Sequence, residues 1–353
     1  MKRNPQNSGP VSGFVDTMQK EQTGVSMPVF SIIMPCYNSA EYVRTAITSI
    51  TDQTYPCWEL VAVNDGSTDE TLSILNEYAS KDDRIKVHTK SNGGYVSAVN
   101  LGLEKITGDY FLMLGSDDRL EECLFQELVN NLPQTYPDCI AFRTMKVKNG
   151  ILIGRDSFTD FSTNAWMENT TLAEFSNAYP SHAAIFSTRD TSKCFKRAIV
   201  GDLRYFGRYG IDADGIFSML LCHKACCFAA IPVDGYYWTL RDTSLSASES
   251  FPERESDRIT NWIRFFDQIR LLHENEMVST EKEYLNYFAN IVIAFWKNYR
   301  ATFSGWMQVK KAVSSIRKTA KCRNLSLKVS RTDNFLLSFP YLWKVGCKLR
   351  IFF

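Results

Sequence analysis

Acidic side chains follow two apolar segments of this sequence, at the points where each segment is expected to end as a β-strand. Asp65 comes directly after the run 60–63, and Asp117 and Asp118 come shortly after the run 110–114. Carboxyl ends of parallel strands lie along one edge of a sheet, so these carboxylates are expected at a common edge. Such carboxylates repel unless a cation joins them, and Mg²⁺ or Mn²⁺ with diphosphate oxygens is the usual solution. The alternative is two separate turns with solvated carboxylates.

Other devices for binding phosphate are missing from the sequence. It contains no G-x-G-x-x-G after a strand, no G-x-x-x-x-G-K-[ST] and no H-E-x-x-H, which argues against a dinucleotide oxidoreductase and a P-loop enzyme. The pair Gly93 and Gly94 precedes a predicted helix whose N-terminus could receive an anion, although such a pair is more often only a turn.

The elements that position these residues alternate between strand and helix. Ser67 and Glu70 are spaced as a capping box for the helix after Asp65. Strands are predicted near 30–34, 60–63, 85–87, 110–114, 140–147 and 236–238, and helices near 41–51, 69–80, 96–106, 120–132 and 214–225. Repeated β-α-β-α units predict a parallel sheet flanked by helices.

Composition narrows the compartment and the partners. The chain has 353 residues, a formal net charge of +1 and ten cysteines without the spacing of a secreted framework, which indicates a reducing cytosol. No apolar run reaches the length of about 20 residues that spans a bilayer. Eleven Lys and Arg residues follow position 309 against Asp333 alone, so the tail is expected to meet an anionic neighbour. Nucleic acid is disfavoured because no binding module is present.

Five sequence blocks resemble the family 2 glycosyltransferases with the GT-A fold. The resemblance is strong over 29–154 and looser over the next hundred residues. It implies an α/β, Rossmann-like domain with a mostly parallel central sheet flanked by helices and a C-terminal helical appendage. It also implies inverting transfer of a sugar from a nucleotide donor, most commonly uridine-linked. The blocks are 31–38, 50–55, 58–71, 92–102 and 108–120.

The resemblance assigns the nucleotide site to the first strand ends. Pro35, Tyr37 and Asn38 correspond to residues that line the base pocket. Asp65 corresponds to the residue that hydrogen-bonds the base. Lys90, before the Asn92 turn, lies where a cation could approach the diphosphate.

The resemblance assigns the metal to the second acidic strand end. Asp117 corresponds to the last, metal-binding position of the Asp-x-Asp motif, Ser116 to its middle position on the nucleotide, and Asp118 to the acidic residue that follows. The first Asp of the motif is Gly115 here, so a carboxylate usually placed against the ribose is absent. Mg²⁺ or Mn²⁺ commonly binds through one or two carboxylates plus phosphate and water, so the site is still expected to hold one.

A general base is also expected, because the acceptor hydroxyl must lose its proton. The segment 211–217 resembles the one that supplies this base in the family, with Asp214 in register and Asp212 as the fallback. An Asp that caps the following helix is the alternative. Further along, Arg241 lies where it could approach the diphosphate, or else in an exposed loop. His182 is a candidate acceptor contact, with a structural histidine as its alternative.

Together these features predict three regions. Residues 1–27 form a disordered leader. Residues 28–250 form the GT-A domain, with a nucleotide-sugar half at about 28–150 and an acceptor half at about 151–250. Residues 251–353 form a helical region whose aromatic, basic end, 335–353, suits an anionic membrane surface, a packing helix or a subunit contact in an oligomer.

The predicted function is transfer of a sugar to a hydroxyl of a saccharide or lipid-linked saccharide, in the synthesis of cell-surface polysaccharide or glycoconjugate. The predicted location is the cytoplasm, with a peripheral position on the inner face of the cytoplasmic membrane. One alternative is a catalytically silent module that binds sugar nucleotides, since Gly115 departs from the motif. A nucleotidyltransferase is disfavoured because no Gly-rich basic loop follows the first strand.

Overall fold

The computed structural model describes residues 27–133, 136–186, 189–207 and 213–241. The predicted leader, the helical region 251–353 with its tail, and Asp212 lie outside these residues, and so those predictions stay untested. Among the described residues, no helix is both long and apolar enough to cross a bilayer.

Ten strands and seven α-helices alternate along the described chain. The strands are β1 (Phe30–Cys36), β2 (Trp58–Asp65), β3 (Ile85–Lys90), β4 (Tyr110–Met113), β5 (Arg119–Leu120), β6 (Cys139–Lys148), β7 (Ile151–Arg155), β8 (Ala165–Glu168), β9 (Lys193–Lys196) and β10 (Cys227–Leu240). The helices are α1 (Val43–Thr51), α2 (Thr71–Ala79), α3 (Tyr95–Lys105), α4 (Leu124–Asn131), α5 (Leu172–Ala178), α6 (Ala183–Phe186) and α7 (Ala213–Lys224).

All ten strands belong to one sheet, in the order β3-β2-β1-β4-β9-β6-β10-β5, with β7 beside β6 and β8 beside β10. The pairs β1–β2, β1–β4, β2–β3 and β6–β10 are parallel. This confirms the predicted α/β fold with helices around a central sheet. Strand β9, which falls in a stretch expected to be irregular, inserts antiparallel between β4 and β6. The parallel order predicted from the β-α repeats therefore holds for β1 to β4 and for the pair β6–β10, whereas β5, β7, β8 and β9 pair antiparallel with their neighbours.

The central strands are buried on both faces, as expected for the middle of a parallel sheet. Every residue of β2 is buried. Its neighbouring residues face opposite layers: Val61 packs in the core that contains Val99 of α3, while Leu60 packs in the core that contains Ile47 of α1. The two layers hold the strand ends, and the loops that follow them, in fixed positions.

The start of α2 differs from the prediction. The expected capping box of Ser67 and Glu70 is wrong, because the helix begins at Thr71 and Glu70 makes no side-chain cap. Asp69 accepts the Thr71 backbone N–H instead, at 3.0 Å. The Ser67 hydroxyl accepts the Asn38 backbone N–H at 3.1 Å and is therefore committed to the loop after β1.

Candidate functional site

The parallel strands β2 and β3 end side by side, with Asp65 opposite Lys90. The Lys90 ammonium donates to Asp65 Oδ1 at 2.6 Å. The backbone N–H groups of Gly93 and Gly94 donate to the same carboxylate at 3.0 and 2.8 Å. Only 4% of the Asp65 side chain is exposed, so this charge is compensated within the protein. Asp65 thereby fixes the end of β3 and the start of α3 against its own strand.

The predicted base-pocket residues lie at the end of the neighbouring strand. Pro35 of β1 is opposite Val63 of β2, Tyr37 is about half exposed, and the Asn38 Oδ1 accepts the Thr68 backbone N–H at 2.8 Å. These contacts hold the loop after β1 against the loop after β2. The structure therefore brings Pro35, Tyr37 and Asn38 to the same sheet edge as the turn that follows Asp65.

Gly66, directly after Asp65, has a backbone φ of +70°, in the left-handed region. A Cβ at this position would lie 2.6 Å from the Asn92 backbone nitrogen. Both the conformation and the close approach require glycine. The turn after β2 is therefore pressed against the loop that leads into α3.

The second acidic strand end is tied to the far side of the sheet. Asp118 is buried, and its carboxylate accepts the Tyr236 hydroxyl at 2.6 Å and the Thr239 backbone N–H at 2.7 Å. Burial and, second, the charge of Asp117 raise the pKa of Asp118 to about 7, against the opposing effect of the hydrogen bonds from Tyr236 and Thr239. Asp118 thus joins the loop after β4 to strand β10.

Gly115, which replaces the first aspartate of the Asp-x-Asp motif, lies where a side chain would not fit. A Cβ on Gly115 would lie 2.7 Å from Asp118 Oδ2 and 2.9 Å from Asp117 Oδ1. The Gly115 backbone N–H also donates to the Tyr236 hydroxyl at 3.1 Å. Carboxylate oxygens of Asp117 and Asp118, two and three residues further on, therefore fill the space that a side chain would need.

Asp117 has a cationic partner already. Its carboxylate is ion-paired with the guanidinium of Arg241, just beyond β10, and both side chains are only partly exposed. The Arg241 guanidinium also lies 4.4 Å from the ring centre of Tyr42. Ser116, predicted on the nucleotide, is partly buried beside Asp117. Asp117 is thus a carboxylate that can hold a cation at this edge.

The side chains that could ligate a divalent ion at this edge are few. Among the described residues, no group of three or more His, Cys, Asp and Glu side chains could hold a metal by itself. Asp118 is engaged by Tyr236 and Thr239, which leaves Asp117 as the available carboxylate. Mg²⁺ and Mn²⁺ sites with one or two carboxylates depend on phosphate and water for their other ligands. The residues therefore fit a metal that arrives with a diphosphate.

Asp214 lies in the first turn of α7 and is partly buried. Its charge acts on Tyr95, the first residue of α3, together with the charges of Asp190 and Asp118. Burial is the larger effect, and all three carboxylates add to it in raising the pKa of the Tyr95 hydroxyl. The structure therefore brings Asp118 and Asp214 to the same region, around Tyr95.

His182 is buried and both of its ring nitrogens have protein partners. Nε2 lies 2.8 Å from the Thr163 carbonyl oxygen and Nδ1 lies 3.0 Å from the Ser181 hydroxyl. The ring also packs on Phe161, with 4.8 Å between the ring centres. These contacts match the structural alternative given for this histidine.

Three residues of this region escaped the sequence reasoning: Tyr95, Asp190 and Tyr205. Tyr95 follows the Gly93–Gly94 turn directly, and this adjacency is the signal that could have found it. Asp190 and Tyr205 lie in the stretch without periodicity between β8 and α7, where no spacing marks them.

A groove of about 660 Å³ runs along α3 from Lys90. Ser97, Asn100 and Glu104 of α3 form one side of it, and Gly207 lies on the other. The groove opens next to the Asp65–Lys90 pair and is therefore continuous with the predicted nucleotide edge.

Known proteins are similar to this chain over the part that contains these features. The family model described as Glycosyl transferase family 2 matches residues 31–186. A Haemophilus influenzae protein named only as an uncharacterized glycosyltransferase is 42% identical over 118 residues, which are 32% of this chain and 47% of that protein. A Bacillus subtilis protein provisionally named a teichuronic acid biosynthesis glycosyltransferase, TuaG, is 41% identical over 93 residues, which are 26% of this chain and 37% of that protein. The match thus spans less than half of these relatives.

Solved structures agree on the fold. The crystal structure of S. aureus TarS 1-349 in complex with UDP-GlcNAc aligns with a TM-score of 0.68 at 20% identity, covering 90% of this chain and 88% of that chain. The same protein without that ligand gives a TM-score of 0.66 at 19% identity, with 90% and 88% covered. At this identity the likeness shows a common fold. Residues 31–186, which contain the acidic strand ends, match the model of glycosyltransferase family 2.

Proposed function

We propose that this protein is an inverting glycosyltransferase that moves a sugar from a uridine diphosphate donor to a hydroxyl of a saccharide or lipid-linked saccharide. The proposed setting is the synthesis of cell-surface polysaccharide or glycoconjugate. The observation that carries the proposal is that Asp65 and Asp117 follow the parallel strands β2 and β4 on either side of β1, with Asp214 near Tyr95 at the start of α3, in a chain whose residues 31–186 match glycosyltransferase family 2. The UDP-GlcNAc complex of TarS and the name of TuaG support the donor and the setting.

The donor half of the site is built to receive a base and a diphosphate. Asp65 is held by Lys90 and the Gly93 and Gly94 N–H groups, so its carboxylate is presented in one orientation. Tyr37, about half exposed at the end of β1, offers a ring face for the base. Lys90, beside Asp65, and Arg241, beside Asp117, supply positive charge that would stabilise a diphosphate.

Asp117, with the donor diphosphate, would hold Mg²⁺ or Mn²⁺. When bound, this ion would stabilise the negative charge of the departing diphosphate. Arg241 is the protein cation that contacts Asp117 in its absence, and the arginine is free to turn to phosphate oxygens when a metal replaces it.

Asp214 takes the role of general base. It lies in the first turn of α7, where the positive end of the helix dipole favours an ionised carboxylate. An ionised Asp214 removes the proton of the acceptor hydroxyl while that oxygen attacks the anomeric carbon from the face opposite the diphosphate. This geometry inverts the configuration at that carbon.

The decisive experiment separates binding from turnover. A thermal-shift screen of nucleotide diphosphates and nucleotide sugars with and without Mn²⁺ reports donor binding, since a ligand that binds the folded state raises its melting temperature. Transfer by the wild type is then compared with that by Asp214→Asn, with the exposed Asp202→Asn as the control. We expect Asp214→Asn to keep the thermal shift and to lose roughly 100-fold or more in kcat.

Two outcomes would contradict the proposal. No metal-dependent shift with any nucleotide diphosphate would refute the donor site. A clear shift without turnover of any donor by the wild type would favour the alternative, a catalytically silent module that binds sugar nucleotides.

The proposed location is the cytoplasmic side of a membrane, with the aromatic, basic segment 335–353 against anionic lipid. Co-flotation with phosphatidylglycerol vesicles, compared with neutral phosphatidylcholine vesicles and with a chain truncated after residue 334, tests this. Equal flotation of the two proteins on anionic vesicles would refute it.

A further inference from the structure

A second acidic residue lies near the proposed base and has no role in the mechanism above. Asp190, ahead of β9, is only 1% exposed. Its Oδ2 accepts a hydrogen bond from the Tyr205 hydroxyl. Its Oδ1 is buried and has no hydrogen-bond partner in the described part of the chain. A buried carboxyl oxygen without a partner is rare in folded proteins and calls for a reason.

Tyr205, the partner of Asp190, is fixed between the two helices that carry the site. Asn100 of α3 bonds both the N–H and the carbonyl of Tyr205, each at 2.9 Å. The Tyr205 ring stacks on Phe217 of α7 with 4.1 Å between the ring centres. Phe217 is three residues after Asp214, on the same side of the helix. The Tyr205–Asp190 pair is therefore anchored to the face of α7 that carries Asp214.

The charges around Asp190 decide where a proton resides. After burial itself, the charge of Asp214 acts most strongly on Asp190, and together they raise the pKa of Asp190 to about 7. Tyr205 and Lys193 act in the opposite direction. Tyr95 also lies within electrostatic reach of both carboxyls.

Because the charge of Asp214 acts on the buried Asp190, the two carboxyl groups do not both ionise readily, and the pair retains one proton. Asp190 is almost completely buried, whereas Asp214 is partly exposed in the first turn of α7, where an anion is stabilised. The proton therefore belongs on Asp190 and the negative charge on Asp214.

We infer that Asp190 is a positioning residue for Asp214: buried and anchored through Tyr205 to the face of α7 that carries Asp214, it holds a proton, so that the negative charge of the two carboxyl groups stays on Asp214. The inference rests on the proposed function. During transfer the acceptor O–H proton moves to Asp214, and the bond from that oxygen to the anomeric carbon forms. The bond from this carbon to the diphosphate breaks, and its electron pair leaves with the nucleoside diphosphate. The Asp190 proton stays in place throughout.

The pH profile of kcat tests this directly. Ionisation of Asp190 above about pH 7 brings a second negative charge to Asp214 and removes its neutral neighbour, so the wild-type rate should fall there. Asp190→Asn keeps a neutral polar group that cannot ionise. We expect the kcat of this variant to show no such fall above about pH 7, which we call the alkaline limb of the pH profile. At lower pH its kcat should be about fivefold below that of the wild type.

Tyr205→Phe tests the inference independently, because it should shift the pH of the alkaline limb. The Tyr205 hydrogen bond lowers the pKa of Asp190, so its removal raises that pKa and moves the limb to higher pH. The exposed Asp202→Asn is the control and should leave the limb in place. An unchanged alkaline limb in Asp190→Asn, or a shift to lower pH in Tyr205→Phe, would overturn the inference.

A spectroscopic measurement makes the test independent of turnover. The infrared band of protonated carboxyl groups, followed in the full chain across this pH range, should be weaker near pH 6 in Asp190→Asn than in the wild type. The part that remains is expected from Asp118, whose pKa is also raised to about 7. If the band is the same in both proteins, the proton is not on Asp190 and the inference is wrong. If the band behaves as expected but the wild type transfers no sugar, the proposed function fails while the protonated state of Asp190 stands.

Discussion

The guanidinium of Arg241 is ion-paired with the carboxylate of Asp117. This pair joins the residue just after β10 to the loop after β4, and the Tyr42 ring lies against the same guanidinium at 4.4 Å. The proposed metal carboxylate thus has a protein cation as its partner. A divalent ion bound at Asp117, as proposed, would compete with Arg241 for this carboxylate.

Replacing Arg241 should therefore change metal binding and donor binding in opposite directions. In Arg241→Gln, Asp117 loses its cationic partner, and we expect Mn²⁺ to bind the donor-free protein about tenfold more tightly, as for loss of a partly exposed ion pair. Binding of UDP with Mn²⁺ should weaken, because a positive charge is lost from the diphosphate side. Electron paramagnetic resonance of free Mn²⁺ measures the first effect and calorimetry the second.

The matched control is Arg204→Gln, whose guanidinium bonds only local carbonyl oxygens among the described contacts. It should leave both affinities unchanged. Unaltered Mn²⁺ affinity in Arg241→Gln would show that the ion pair does not compete with the metal.

Restoring the aspartate of the motif at Gly115 should destabilise the protein and weaken nucleotide binding. The Cβ of an Asp would overlap the Asp118 and Asp117 oxygens at 2.7 and 2.9 Å, and Asp118 is held in place by Tyr236. We expect Gly115→Asp to lower the free energy of unfolding by roughly 1 to 3 kcal/mol, the usual range for overpacking, and to weaken UDP binding. Urea unfolding and calorimetry measure these effects.

Gly215→Ala is the control for this substitution, because an added Cβ there meets nothing within 4 Å. It should leave the free energy of unfolding unchanged or slightly raised, since alanine favours a helix. Tighter UDP binding without loss of stability in Gly115→Asp would contradict the steric account.

The Asp65–Lys90 pair should be strongly coupled. Lys90→Met leaves a carboxylate that is 4% exposed with only the Gly93 and Gly94 N–H groups as partners. We expect it to lower the free energy of unfolding by roughly 2 to 4 kcal/mol, as for a buried charge that loses its partner. The same substitution in an Asp65→Asn background should have a clearly smaller effect, because no charge is left uncompensated. If Lys90→Met changes the free energy of unfolding by the same amount in both backgrounds, Asp65 and Lys90 are not coupled.

Glu59 of β2 should contribute to stability at neutral pH and lose this contribution in acid. Burial raises its pKa, but the hydrogen bonds from Ser31, Thr107 and Gly108 outweigh burial, so the pKa lies below its ordinary value of 4.5. A carboxyl whose pKa is lower in the folded state stabilises the fold above its unfolded pKa, and this stabilisation is lost as pH falls through the folded pKa.

The measurement is urea unfolding of the wild type and Glu59→Gln from about pH 6 to pH 3.5. The difference in their free energies of unfolding should be largest at pH 6 and should shrink below about pH 4.5. A difference that is constant with pH would mean that Glu59 is not ionised in the folded protein.

Strands and helices were predicted correctly where a local sequence pattern determines them. The strand at β2 was visible as an apolar run that stops at Asp65, and its complete burial is what such a run predicts. The β-α repeats up to β4 likewise gave the right elements, because each unit packs on its neighbour in the chain. The capping box failed because the Ser67 hydroxyl serves the loop after β1, a contact that short-range spacing cannot reveal.

The parts that could not be predicted depend on contacts between distant residues. Arg241 meets Asp117 across 124 positions, and Tyr236 meets Asp118 across 118 positions. The steric reason for Gly115 becomes visible only once Asp118 is placed. Asp190 carries no spacing signal, since its surroundings come from α3, α7 and the loop at Tyr205.

The insertion of β9 between β4 and β6 has a consequence for the order of folding. Strands β1 to β4 pair with one another and are complete at Met113, whereas β6 is connected to β4 through β9, which is complete only at Lys196. Pairing between distant segments forms slowly, and chains of this size commonly fold through intermediates. The first four strands can therefore assemble early, while Thr239 and Arg241 reach Asp118 and Asp117 late. A nascent chain that has not yet reached β10 carries the Asp65 turn but cannot complete the acidic edge.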